Sequence, residues 1–104
     1  MDKLEFDYFF RQLKVGLYID ETSFYFADDP DEEEHYLGYL PEYEMPYWVG
    51  YCDIPDGCEF YTADELVDAK IFNGKSLKER WPNVRIVNVW GIALEDWLNS
   101  CPQA

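Results

Sequence analysis

Phe6, Phe9, Phe10 and Leu13 recur at the i, i+3, i+4, i+7 spacing of a helix that turns one face to a core. Asp2 with Glu5 stands where a capping box would start that helix, and Gly16 where it would end. Leu4, Phe6, Tyr8 and Phe10 also alternate as in a strand, and the capping pattern decides for the helix. From Leu17 to Cys52 short aromatic and β-branched runs take over, at Leu17 to Ile19, Ser23 to Ala27, His35 to Leu40 and Tyr47 to Cys52. These predict antiparallel strands. Asp20 to Thr22 makes a short turn between the first two runs and Asp28 to Glu34 a longer acidic loop broken at Pro30. Pro41 and Pro46 bracket the next connection. Tyr36-Leu37-Gly38-Tyr39 resembles Trp48-Val49-Gly50-Tyr51, which predicts a neighbouring strand pair with each glycine at a bulge or a close backbone approach.

Beyond Pro55-Asp56-Gly57 the period becomes helical. Thr62 with Glu65, and Ser76 with Glu79, have capping-box spacing and predict the starts of two short helices. Pro82 stops the second, Asn83 to Val89 predicts a strand, and Leu94, Trp97 and Leu98 form the stripe of a last helix. Trp81, Trp90 and Trp97 are expected in the core, Trp81 through its i, i+4 pairing with Leu77. The expected fold is a single α+β domain over residues 1–104: an N-terminal helix, an antiparallel sheet of about four to five strands, and short C-terminal helices.

Composition agrees with a folded chain. Of 104 residues, 48% are hydrophobic and 19% aromatic, enough to build a core without staples. No apolar run reaches the roughly 18 residues of a membrane span, and the first residues lack a basic segment leading into an apolar one. Three cysteines, an odd number, read as reduced thiols rather than a disulfide framework, so the cytoplasm is the expected compartment. The stretch from Tyr47 to Leu77 resembles a specific bacterial family in texture, without a motif that names it or attaches a function.

The charge distribution changes the picture more. The net charge is −14, and residues 28 to 68 hold fourteen Asp and Glu with no Lys or Arg. The flanks cancel, at −2 before this segment and +2 after it. Such a block suits a basic partner or a solvated face.

Candidate chemistries are few. Cys52, Cys58 and Cys101 with His35 are the right ligands for zinc at the wrong spacing, so no metal site is expected. Ordinary thiols are the expected state, with a Cys52 to Cys58 bridge across the Asp-Gly turn as the alternative. A cysteine nucleophile needs a base, and His35, the single imidazole, follows three glutamates as a solvated strand-edge residue. No acid stands in an apolar run where a general acid's raised pKa would arise. Neither Asp28 to Glu34 nor Asp53 to Gly57 has the glycine and terminal glutamate of an EF-hand loop. Phosphate loops, dinucleotide fingerprints and nucleophile elbows are missing, and the few basic residues do not form a nucleic-acid patch.

The sequence therefore predicts no catalytic residue and no cofactor. Its leading expectation is a non-enzymatic interaction module for a basic protein partner, of the inhibitor, immunity-protein or nucleic-acid-mimic kind. The contact residues expected are Asp31, Glu33, Glu42, Tyr43, Glu44 and Tyr47. The alternative is a small-ligand or carbohydrate module stacking its ligand on Tyr39, Tyr43, Tyr47, Trp48 and Tyr51.

Overall fold

The computed structural model describes residues 5–15 and 21–100. The expectations placed on Asp2, Gly16, Leu17 to Ile19 and Cys101 lie outside these residues. A first helix, α1 (Phe6–Val15), buries Phe9 and Leu13 completely and leaves Phe6 and Phe10 half-buried beside them. The helical stripe is therefore the real one, and the alternating strand is not formed.

Eight strands follow among the described residues. Six of them, β1 (Thr22–Phe26), β2 (His35–Tyr39), β3 (Tyr47–Gly50), β4 (Cys58–Phe60), β7 (Val84–Val89) and β8 (Ile92–Ala93), form one antiparallel sheet in the order β4-β3-β2-β1-β7-β8. β5 (Lys70–Phe72) and β6 (Lys75–Ser76) form a separate hairpin. The main sheet exceeds the expected four to five strands by short members, β4 and β8 having three and two residues. Stretches that short carry no readable alternation.

Between the halves of the sheet run α2 (Ala63–Asp68) and α3 (Leu77–Arg80), and α4 (Leu94–Ser100) is the last of the described elements. Both predicted capping boxes are formed: Thr62 accepts from the Glu65 amide and Ser76 from that of Glu79, while each glutamate accepts in return from its cap's N–H. Pro82 sits in a 3-10 turn, Trp81–Asn83, that ends α3.

Strand register explains the two faces. Thr22, Phe24 and Phe26 share one face with His35, Leu37, Tyr47 and Val49, and that face meets the helices. Trp81 packs against Phe6 and Phe9, and Trp97 against Tyr8, so α1, the 3-10 turn and α4 cover the same side. Trp81 and Trp97 are buried as expected, whereas Trp90 is 54% exposed. The correction has a local cause: β7 ends at Val89, so Trp90 and Gly91, both at positive φ, make a two-residue turn into β8.

The matching glycine segments do pair as neighbours, and β2 and β3 run without a register shift, so neither glycine marks a bulge there. Gly38 lies opposite Trp48 and Gly50 opposite Tyr36, on the second face. No helix among the described residues is long and apolar enough to cross a membrane.

Candidate functional site

The loops of the acidic segment divide between the two ends of the sheet, while Glu59 lies in β4 and Asp64, Glu65 and Asp68 lie in α2. The loop from Asp28 to Glu34 enters β2 at one end, and because β3 runs antiparallel to β2, the loop from Tyr51 to Gly57 leaves β3 at that same end. Tyr36 and Tyr51 bring their rings to 5.4 Å, and Glu33 shares with Tyr51, Ile54 and Asp56 a concave depression of about 440 Å³. Glu42, Tyr43 and Glu44 lie in the connection from β2 to β3, at the opposite end. The length of β2, roughly 14 Å at about 3.4 Å per residue, separates the two groups.

Of the six contact residues expected, Asp31 and Glu33 thus belong to one end, while Glu42, Tyr43 and Glu44 belong to the other. All five are exposed. Tyr47 stands apart from both, 8% exposed in the core, with burial pushing its phenol above the usual range. The five rings of the alternative platform do not share one exposed face, although Tyr39 and Tyr47 bring their rings to 4.9 Å. Tyr47 is buried, Tyr39 packs half-buried against the core, Trp48 is on the second sheet face, and Tyr43 and Tyr51 mark opposite ends.

The first end is tightly organised underneath. Asp29 accepts hydrogen bonds from the Asp31 and Glu33 amides at 3.0 and 3.1 Å, which hold its carboxyl below the usual range and leave Asp31 to Glu34 exposed. Arg80 anchors the start of the loop: it donates to Asp28 at 2.7 Å and lies 3.7 Å from the Phe26 ring centroid. Asp53 receives the Asn73 and Gly74 amides at 3.0 and 2.9 Å and so ties the second loop to the β5–β6 hairpin.

His35 lies beneath both loops. It was expected as a solvated strand-edge residue, but β2 is flanked by β1 and β3, so its first residue is covered. The ring is 7% exposed and packed against Phe24, Phe26 and Phe72. Nδ1 donates to the Tyr51 carbonyl, which can only accept. The imidazole holds the end of β3 in place.

What stands outward at this end is a set of carboxylates around two apolar side chains. Tyr51 is 67% exposed and Ile54 43%, and Tyr51 has a backbone φ of 59°, a conformation bulky residues rarely hold. Residues kept in such conformations against their preference cluster at binding and catalytic sites. Tyr51 and Ile54 were absent from the expected contact set. Ile54 between Asp53 and Pro55, ahead of an Asp-Gly turn, was the available signal, since an apolar residue there has no strand or helix to carry it inward.

No family model, curated protein or solved structure matches this chain. Among the described residues, no group of three or more His, Cys, Asp or Glu is placed to hold a metal ion.

Proposed function

We propose that this chain is a non-enzymatic, cytoplasmic interaction protein that docks a basic protein partner at the sheet end formed by residues 28–34 and 51–57. One observation carries the reading. Among the described residues, Asp28 alone of the fourteen carboxylates in residues 28 to 68 is ion-paired, and the same segment holds four of the five large hydrophobic side chains that are exposed: Tyr43, Tyr51, Ile54 and Tyr61. Uncompensated charge around an exposed aromatic residue is how a steered interface is built: charge raises the rate of encounter, and the ring supplies the energy that holds the complex. The end bearing Tyr51 is favoured over the end bearing Tyr43 because Tyr51 is also strained. A solvated face kept for solubility accounts for the acids but gives no reason to expose Tyr51 at positive φ.

Asp31, Glu32, Glu33 and Asp56 carry the steering role, since none of their side chains is hydrogen bonded or paired. Tyr51 and Ile54 are the anchors. The test is capture from native lysate at low salt, followed by binding kinetics with the purified captured protein. Reversal of the four acids to Lys should slow association and flatten its salt dependence. Tyr51→Ala should speed dissociation by about tenfold or more, as loss of an aromatic anchor does. A specific complex whose rates survive both sets of changes would sink the proposal.

A further inference from the structure

We propose that Cys52 and Cys58 are a reversible dithiol that closes into an intrachain disulfide across the Ile54–Gly57 turn, with a low-molecular-weight disulfide as the oxidant. The geometry carries this. Cys58 opens β4 opposite Val49, Cys52 lies three residues beyond Val49, and the Gly57 amide donates to the Ile54 carbonyl at 3.0 Å, folding the chain back between them. Both side chains are half-buried and packed against the core cluster. The two sulfurs lie near enough for Cys52 to raise the Cys58 thiol, and the Cys52 thiol donates to the Ile54 carbonyl at 3.8 Å. Two thiols this near across one turn are placed to bond with each other, and none of the functions argued above uses either of them.

The exchange has two steps. The Cys52 thiolate attacks the oxidant, forming a mixed disulfide and releasing one thiolate, which takes up a proton from solvent. The Cys58 sulfur then loses its proton to solvent and attacks Cys52, expelling the second thiol. In sum, two protein thiols and one small disulfide become one protein disulfide and two small thiols. Cys52 acts first because Cys58 is pushed up to about 12, mainly by burial and then by the Cys52 sulfur itself. Capping Cys52 removes the second of these causes. The bridge would fix the turn that carries Ile54 and Asp56; that consequence rests on the docking role proposed above, and the bridge does not.

The sequence supplies a clean readout. No Lys or Arg lies between Lys14 and Lys70, so both cysteines fall in one tryptic peptide, 15–70, while Cys101 falls in 86–104. The native full-length chain is equilibrated in a mixture of reduced and oxidised glutathione, quenched with an alkylating agent, digested and weighed. Peptide 15–70 should lose two hydrogens and resist alkylation, exceeding its glutathione adduct by about tenfold, because a neighbouring thiol competes at high effective concentration. Reduction with dithiothreitol should restore two alkylated thiols. A 15–70 peptide that collects glutathione without bridging, or stays doubly alkylated at every ratio of oxidised to reduced glutathione, would overturn the inference.

Discussion

Gly57→Ala should be far more damaging than the same change at Gly74 or Gly91, which serve as its controls. Gly57, Gly74 and Gly91 have nearly the same φ, at 81°, 76° and 75°. What differs is their surroundings. A Cβ on Gly74 or Gly91 would meet nothing within 4 Å, whereas on Gly57 it would lie under 3.0 Å from the Val49 carbonyl oxygen and 3.5 Å from the Gly50 Cα. The left-handed conformation costs a residue with a Cβ about 1–2 kcal/mol, and the stiffer unfolded chain offsets about 0.4–1 kcal/mol of it. Gly74→Ala and Gly91→Ala should thus each cost about 1 kcal/mol.

Gly57→Ala carries the same conformational term and a clash with backbone that no side-chain rotation relieves. Escape means bending the chain, at about 4 kcal/mol for a 15° angle distortion, or parting the start of β4 from β3. A total of about 3–5 kcal/mol follows, a large share of the 5–15 kcal/mol that small domains possess. In urea, followed by tryptophan fluorescence with a slope of about 1.5 kcal/mol per molar, the midpoint should fall by about 2 M or more, against about 0.7 M for each control. A Gly57→Ala midpoint within about 0.3 M of the controls, at an unchanged slope, would refute the steric argument.

Thr22 is fully buried and its hydroxyl has no hydrogen-bond partner among the described residues, so Thr22→Val, which keeps the shape and removes the polar atom, should stabilise the fold by about 1–2 kcal/mol in the same assay. A loss of stability would mean the hydroxyl is satisfied. Glu79 accepts from Lys70 Nζ at 2.8 Å and from the Ser76 amide at 2.9 Å, and these bonds, the lysine first, hold its carboxyl down to about 2. Because the folded value lies below the unfolded one, the stabilisation is fully present above about pH 5 and is lost as pH falls through about 2. The urea-midpoint gap between the native chain and Glu79→Gln should therefore close over that range, and a gap constant with pH would count against the assignment.

How much was legible beforehand follows from the range over which each signal acts. The two capping boxes were readable because a cap is a four-residue event, and Thr62, Glu65, Ser76 and Glu79 meet their partners whatever the tertiary fold does. The helical stripe through Phe9 and Leu13 and the pairing of β2 with β3 were readable because a buried face imposes its period on the chain. Trp90 was misread because hydrophobicity suggested a core where the strand had already ended and a turn had begun. His35 was misread for the opposite reason: its neighbours in sequence are acids, its neighbours in space are Phe24, Phe26 and Phe72, and only the sheet order decides between the two.

The expected contact set shows the same limit. Asp31, Glu33, Glu42, Tyr43, Glu44 and Tyr47 are close along the chain and share one run of charge, yet β2 lies between the first two and the rest, and Tyr47 points into the core. A charge run therefore reports that a surface is acidic without reporting which of its residues share a face. Tyr51, by contrast, comes next to Glu33 only through the antiparallel return of β3, and its strain shows only in the backbone. If the acids serve merely to keep the chain soluble, the two ends of the sheet should be interchangeable, and reversing Glu42 and Glu44 should matter as much as reversing Asp31 and Glu33. If docking is their purpose, the end that holds Tyr51 should dominate, and that asymmetry is what separates a binding surface from a solvated one.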